Sequence, residues 1–338
     1  MRDVIGQRRL LERVGARAVR GDVAHAYLLS GPRSIGKRTI ALRLAQTLNC
    51  AGEASGPGGC GACLACRKIQ AGIHPDVVLI ERDPQIKVIT IEQMREMQLD
   101  LSLRPLEGRS RIVIVDDASE LHDHAQDALL KTLEEPPRHA VLLLLTRMPE
   151  RLHETVVSRA QALPFRLVPT AEIAAGLAAR FGPEQARHAA AAGGRPGLGI
   201  SLASDGAVRA RRDALDEELY RLVSSGLTDR FAWAARLADD DKPRRREAAI
   251  GERLSHWTEL LRDAALAAQG VEGRALRPDR AAPTARLAAT VAARDLVDAA
   301  LLLEKLRGDL VSNANARAML EIVALRLPYS ETVAGAAA

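Results

Sequence analysis

The stretch HAYLLSGPRSIGKRT, residues 25–39, decides the fold. Residues 26–30 are apolar and predict a short strand, and the residues after the glycines place Ile40, Leu44 and Leu48 on one side of a helix. Between them lies the pattern G-x-x-x-x-G-K of a phosphate-binding loop. A strand, a glycine-rich loop and a helix in this order let backbone N–H groups face phosphates. The sequence therefore predicts a nucleotide site at the edge of an α/β sheet.

This phosphate loop, residues 31–39, departs from the pattern at one position. Gly31, Gly36 and Lys37 match it, but Arg38 stands where a hydroxyl residue is expected. That hydroxyl normally coordinates the Mg²⁺ carried by the nucleotide, and a guanidinium has no lone pair to offer a metal. Thr39 carries a hydroxyl, but one residue turns about 100° around a helix. We predict a site for ATP or ADP with Mg²⁺ in which hydrolysis is weak or absent.

A second apolar strand, residues 111–115, ends in the carboxylates Asp116 and Asp117. The first carboxylate of such a Walker B strand holds the Mg²⁺, and in AAA+ ATPases the next residue is normally the glutamate that polarises the attacking water. Asp117 is one methylene shorter, which retracts its carboxylate by roughly 1–1.5 Å. General-base catalysis depends on hydrogen-bond reach, so the shortening lowers the expected rate. The alternative is that Asp117 is a helix cap or a solvated carboxylate.

All four cysteines of the chain lie in one short segment with the spacing C-x9-C-x2-C-x2-C. Clustered cysteines in a reducing cytosol are more often metal ligands than disulfides. Four thiolates suit tetrahedral Zn²⁺ and leave no position for water, so the predicted site is structural. A redox pair and inert thiols are the alternatives. The predicted zinc ligands are Cys50, Cys60, Cys63 and Cys66.

Apolar strands alternate with helical segments up to about residue 168, which indicates a doubly wound parallel sheet. From there on the chain is dominated by alanine, leucine and arginine in helical patterns. We therefore predict a nucleotide-binding domain followed by two helical domains. The predicted bounds are 1–168 for the P-loop domain with its cysteine knuckle at 50–66, 169–205 for a small helical lid domain, and 206–330 for a helical bundle.

The composition argues against a membrane protein. The longest apolar run, residues 140–145, is far shorter than the roughly 18–20 residues that span a bilayer. The N-terminal residues are charged and amphipathic, without a signal-peptide core. The net charge of +5 permits contact with phosphates without demonstrating it. We predict a cytoplasmic protein with no membrane partner.

Taken together, these motifs resemble the AAA+ subunits of bacterial DNA polymerase III clamp loaders, most closely those of the delta-prime type. The resemblance covers about residues 1–205, and ALLKTLEEPP followed by SR is its most distinctive part. The family's SRC motif reads SRA here, with Ala160 in place of the cysteine. The C-terminal third fits the family's collar domain in architecture only. The segments that carry the resemblance are 3–7, 25–39, the cysteine knuckle, 116–121, 128–137 and 156–160.

The resemblance implies roles for several residues. Lys37 would contact the β- and γ-phosphates, residues 4–7 would lie near the adenine, and Thr146 would lie near the sensor-1 position. Arg195 in GGRPG would approximate the sensor-2 arginine. Arg159 resembles the arginine finger, which in this family reaches the ATP of the neighbouring subunit. The alternative for Arg159 is an ordinary surface salt bridge.

The implied function is that of a clamp-loader subunit in a hetero-oligomeric ring with gamma/tau and delta subunits. Its other partners would be the sliding clamp and primer–template DNA, contacted through phosphates. The sequence offers no carboxylates for two-metal nucleotidyl transfer beyond Asp116 and Asp117, so a polymerase activity would belong to the holoenzyme. The alternatives are a gamma/tau-like ATPase subunit, disfavoured by Arg38, and a stand-alone P-loop phosphotransferase with a zinc lid.

Overall fold

The structure is a computed structural model that describes residues 4–52, 56–82, 88–239, 243–310 and 315–330. It divides into two compact units. The first comprises Met1–Gly176 with Arg195–Leu198, and the second comprises Leu177–Gly194 with Gly199–Ala338. The division into three domains remains a prediction.

The first unit is built on a five-stranded sheet in which every neighbouring pair of strands is parallel. From one side of the sheet to the other, the strands are Val77–Ile80, Arg111–Asp116, Ala140–Thr146, Ala26–Ser30 and Gln161–Pro164. The predicted parallel α/β sheet is thus confirmed. In chain order, the strands are β1 Ala26–Ser30, β2 Val77–Ile80, β3 Arg111–Asp116, β4 Ala140–Thr146 and β5 Gln161–Pro164.

The register of the sheet brings the phosphate loop and the Walker B carboxylates to the carboxyl ends of nearby strands. Strand β4 lies between β1 and β3, and its Leu145 is level with Leu29 on one side and with Asp116 on the other. Neighbouring strands are about 4.8 Å apart, so these two positions lie roughly 10 Å apart across the sheet. Both are at the carboxyl ends of their strands, where ligands bind in open α/β sheets.

Helices cover the sheet because its strands are apolar on both faces. All seven residues of β4 are buried, as expected for a central parallel strand. Helix α4 begins at a capping box formed by Thr90 and Gln93, and α5 ends at Glu134, just before the prolines that stop it. The helices are α1 Arg8–Val19, α2 Lys37–Asn49, α3 Leu64–Gln70, α4 Ile91–Ser102, α5 Asp123–Glu134, α6 Glu154–Arg159 and α7 Thr170–Phe181.

The remaining helices confirm the predicted C-terminal helical region. The helices from residue 206 onwards pack around a core that contains Trp233 and Trp257, whose ring centroids are 5.5 Å apart. None of the helices in the described ranges is long and apolar enough to cross a membrane. They are α8 His188–Ala191, α9 Pro196–Ser204, α10 Gly206–Val223, α11 Leu227–Ala238, α12 Pro243–Ala268, α13 Ala281–Thr290, α14 Ala293–Leu310 and α15 Ala316–Arg326.

The second unit also buries a group of charged side chains. Asp216 of α10 and Arg277 are each 1% exposed, and their nearest N–O distance is 3.1 Å. Asp216 further pairs with His256 of α12 and with Arg280, the latter at 2.5 Å. The helices around Asp216 are therefore joined by charges as well as by apolar packing.

Candidate functional site

The phosphate loop has the backbone that its glycines predict. Gly36 has φ +104° and immediately precedes α2. Because glycine has no side chain to cap the helix, the first N–H groups of α2 remain available to a ligand. A Cβ atom at Gly31 would lie 2.9 Å from the carbonyl oxygen of Phe165, so only glycine fits there. The N–H of Gly31 donates to the carbonyl of Thr146 at 3.1 Å, which joins the loop to the end of β4.

Lys37 forms hydrogen bonds with the phosphate loop. Its Nζ donates to the carbonyl oxygens of Gly31 at 2.5 Å and Pro32 at 2.9 Å. Burial lowers the pKa of Lys37 to about 8, although the carboxylates of Asp117 and Asp116 act in the opposite direction. Most of the Lys37 side chains still carry their positive charge at neutral pH.

Arg38 pairs with the first Walker B carboxylate. Its Nη1 lies 3.3 Å from Asp116 Oδ2 and 2.6 Å from Glu81 Oε1, just beyond the end of β2. Burial raises the pKa of Asp116, and the Arg38 guanidinium opposes that rise. A Mg²⁺ ion at this place would find a cation in contact with its carboxylate and no hydroxyl at position 38. These residues do not fit the ion that the motif normally holds. Thr39 is exposed on α2.

Asp117 is paired with an arginine as well. Arg147, directly after β4, places its Nε 2.7 Å from Asp117 Oδ2 and its Nη2 3.5 Å from Glu120. The other carboxylate oxygen of Asp117 accepts a hydrogen bond from the Ser119 hydroxyl. Asp117 also adopts φ +65° at the start of a short 3₁₀ turn. Both of its oxygens are engaged, which leaves this carboxylate poorly placed to activate water.

Thr146 and Arg195, which are also expected at the nucleotide, lie in or next to residues that contact the same loop. Thr146 is fully buried, and its hydroxyl accepts from the N–H of Met148 at 3.1 Å. Arg195 directly precedes α9, where the N–H of Gly197 donates to the Ser34 carbonyl at 2.8 Å. The GGRPG segment thus contacts the phosphate loop through its backbone.

Arg159 is held by different partners. It is the last residue of α6, its Nη2 lies 2.9 Å from Glu134 Oε1, and its Nη1 donates to the Thr155 carbonyl at 3.0 Å. Its side chain is 37% exposed and that of Glu134 is 53% exposed. The structure thus brings Lys37, Arg38, Asp116 and Asp117 together and gives Arg159 an accessible ion pair.

The four cysteines converge as their spacing predicts. Their sulfur atoms all lie within 4.8 Å of one another, and the Cys50–Cys63 and Cys60–Cys66 pairs are 4.0 Å apart. Tetrahedral Zn²⁺ with bonds of about 2.3 Å requires sulfurs separated by roughly 3.8 Å. Backbone N–H groups donate to the sulfurs of Cys50, Cys60 and Cys63. The cluster could bind a metal ion.

Glycine permits this close approach of the chain. Gly59 has φ +67°, and a Cβ atom there would lie 3.0 Å from Cys66 Sγ and 2.9 Å from Gln46.

The sequence analysis identified all four cysteines but missed Glu81 and the pairing role of Arg147. Both follow strands of the parallel sheet, and that position is the signal that could have revealed them.

Several known proteins are similar to this chain in sequence. A model of the family described as "DNA polymerase III, delta subunit" matches residues 6–169. DNA polymerase III subunit delta' of Pseudomonas aeruginosa is 36% identical over 224 residues, which cover 64% of this chain and 66% of that protein. DNA polymerase III subunit tau of Escherichia coli is 33% identical over 282 residues, which cover 81% of this chain and 41% of that protein.

The gamma subunit of Buchnera aphidicola is 40% identical over 159 residues, which cover 47% of this chain and 43% of that protein. The chain thus spans less than half the length of the gamma and tau proteins that it matches. The chain is thus similar to DNA polymerase III subunits of the gamma, tau and delta-prime types. These similarities do not distinguish delta-prime from gamma/tau.

Proposed function

We propose that this chain is a delta-prime-type subunit of a bacterial DNA polymerase III clamp loader, with weak or no ATP hydrolysis of its own. The observation that carries the proposal is the pairing of both Walker B carboxylates with arginines of the same chain. Arg38 lies 3.3 Å from Asp116 and Arg147 lies 2.7 Å from Asp117. Hydrolysis needs the first carboxylate for the metal and the second for water. Its partners would be gamma/tau and delta subunits, the sliding clamp and the phosphates of primed DNA, in the cytoplasm.

We further propose that Arg159 acts as an arginine finger on the nucleotide of a neighbouring subunit. Its support is the resemblance of the SR motif and the accessibility of the side chain at the end of α6. The pair with Glu134 is solvent-exposed, and exposed pairs contribute only about 0–1 kcal/mol, so the guanidinium can leave it at small cost. An arginine finger accelerates phosphoryl transfer by roughly 10³–10⁵ in well-studied enzymes.

The test is a reconstituted loader containing this chain, a gamma/tau ATPase, a delta subunit, the clamp and primed DNA. We expect Arg159→Ala to abolish the stimulated turnover of the one site that it serves and to leave assembly intact. Arg138→Ala is the matched control, because Arg138 is an exposed arginine four residues after Glu134, the ion-pair partner of Arg159. Equal stimulated ATPase in the Arg159→Ala and wild-type complexes would show that the finger hypothesis is wrong.

A gamma/tau-like ATPase is the second candidate, favoured by the intact Gly31, Gly36 and Lys37 and by the similarity to tau over 81% of the chain. The two candidates differ in the turnover of the purified chain alone. A delta-prime-type subunit is expected to show almost no Mg²⁺-dependent ATP hydrolysis, and robust turnover would establish the ATPase instead.

We propose that Cys50, Cys60, Cys63 and Cys66 hold a structural Zn²⁺. The ion would tie the loop around residues 56–63 to the end of α2, where Cys50 follows Asn49 directly. Metal content and the melting temperature test this. We expect about one zinc per chain and a lower melting temperature after chelation or in Cys66→Ser, because metal binding stabilises the folded knuckle. A purified chain without metal and with unchanged melting after chelation would exclude the site.

A further inference from the structure

The nucleotide site combines features that favour phosphate binding with features that oppose metal binding. The loop glycines, the first N–H groups of α2 and Lys37 all remain. At the metal position, Arg38 replaces the hydroxyl and contacts Asp116 at 3.3 Å. A Mg²⁺ ion is repelled from a place that a guanidinium already occupies, whereas phosphate oxygens are attracted to it.

The arginine has hydrogen-bonding capacity left. Its bonds to Glu81 and Asp116 both use Nη1. Within the residues that the structure describes, its Nε and Nη2 have no hydrogen-bond partner, and the side chain is 48% exposed. These two nitrogens form one edge of the planar guanidinium, the fork that binds phosphate oxygens in a bidentate manner. Arg38 can therefore keep its carboxylate partners and still bind an anion.

The charges of the site limit which anion fits. Four carboxylates lie around three cations, so the side chains of the site carry no excess of positive charge; they are Glu81, Asp116, Asp117 and Glu120 around Lys37, Arg38 and Arg147. Without a metal to neutralise it, each further negative charge on the ligand is repelled by these carboxylates. A diphosphate carries one charge fewer than a triphosphate and is therefore favoured.

We propose that this site binds a nucleoside diphosphate in its metal-free form, with Arg38 in the place of the divalent cation. The proposal rests on the proposed function in one respect, namely that the loop is a nucleotide site that does not hydrolyse. It has a consequence that ordinary P-loops do not share. Mg²⁺ withdraws free ADP from solution as its complex, so Mg²⁺ should weaken binding instead of strengthening it.

The test is a titration of the full chain with a fluorescent ADP, once in EDTA and once with Mg²⁺. We expect the wild-type chain to bind more tightly in EDTA than with Mg²⁺, and equal or weaker binding in EDTA would overturn the proposal. Arg38→Thr restores the hydroxyl and removes the cation, so its preference should reverse, with binding about tenfold tighter in Mg²⁺ than in EDTA. Arg95→Thr, which changes an exposed arginine of α4, is the matched control and should behave as wild type.

Arg38→Lys separates charge from geometry, since it keeps the cation and loses the fork. We expect about tenfold weaker binding in EDTA than for wild type. Melting temperatures of all variants establish that they are folded. Wild-type binding that requires Mg²⁺, or no ADP binding in either condition, would overturn the proposal. Neither result would affect the clamp-loader assignment, which assembly and the Arg159→Ala measurement test separately.

Discussion

Arginine–aspartate pairs occur in both units of the molecule, but their surroundings differ. In the helical unit, Arg277 and Asp216 are each 1% exposed. At the nucleotide site, the side chains of Arg38 and Asp116 are 48% and 29% exposed. A buried pair cannot lose one member without leaving an uncompensated charge in an apolar core, whereas an accessible pair can exchange a partner for water or a ligand. Burial, more than the pairing itself, determines whether such an arginine serves stability or binding.

The largest effect that this comparison predicts is on the buried pair. Arg277→Ala removes the fully buried guanidinium that pairs with Asp216 and leaves that carboxylate with Arg280 and His256, so we expect the free energy of unfolding to fall by about 3 kcal/mol, the lower end for a broken buried pair. Urea unfolding followed by tryptophan fluorescence measures it, because both tryptophans of the chain, Trp233 and Trp257, lie in this core. A loss below about 1 kcal/mol, the value for an exposed pair, would remove the distinction between the two regions.

The second largest expected effect is a loss of stability of the helical unit at acidic pH. Burial lowers the pKa of His256, with Arg212 and Arg277 acting in the same direction and Asp216 opposing them. The unfolded chain then binds a proton below pH 6.5 that the folded chain resists, so the helical unit loses stability as the pH falls below 6.5. The slope for one proton is at most about 1.4 kcal/mol per pH unit.

A second acid-sensitive group acts at lower pH. The pKa of Asp216 is lowered to about 2, because its partners outweigh its burial, so its contribution is lost between pH 3.8 and 2. At the nucleotide site the pKa shift has the opposite sign, since burial raises the pKa of Asp116.

Tryptophan-detected unfolding between pH 7 and 5 measures the loss of stability that we assign to His256, with His256→Gln as the control that should flatten the slope. An unchanged slope in that variant would assign the acid sensitivity to another group.

At the accessible pairs we expect small effects on stability. Arg147→Ala removes the partner of Asp117, and the free energy of unfolding should change by less than about 1 kcal/mol because both side chains are about a quarter exposed. Circular dichroism during thermal unfolding measures it, with Arg277→Ala as the comparison. A loss as large as that of Arg277→Ala would mean that the nucleotide-site arginines are structural.

The smallest expected effect is at Glu134. Glu134→Gln removes the ion pair with Arg159 at the surface, and we expect a change of a few tenths of a kcal/mol. A double-mutant cycle with Arg159→Ala isolates the pair itself. A coupling above about 1 kcal/mol would indicate that Arg159 is fixed in its own subunit and not available to a neighbour.

The sequence predicted the parts of this molecule that depend on local pattern. The strand before Gly31, the helix after Lys37 and the apolar strand ending at Asp116 all follow from periodicity and glycine placement. The cysteine cluster follows from spacing. These features depend on residues that are close to one another in the sequence.

What the sequence did not predict depends on which strands become neighbours. Glu81 reaches Arg38, 43 positions earlier in the chain, because the pairing of β2 with β3 places Glu81 next to Asp116, the other partner of Arg38. Arg277 stood in a polar loop between helices, where exposure is the ordinary expectation, yet it is among the largest fully buried side chains. Its burial depends on Asp216, 61 residues earlier, and no local pattern contains that contact.

Helix α2 has a mechanical consequence. It begins at the phosphate loop, directly after Gly36, and ends at Asn49, directly before Cys50. At 1.5 Å per residue it is a rod of about 20 Å. Asn49 also accepts from the N–H groups of Arg109 and Ser110 at 3.0 and 2.9 Å, which fastens that end to the segment leading into β3. The cysteine knuckle, the phosphate loop and the Walker B strand are therefore connected through one helix, so a displacement of the knuckle would move the other two with it.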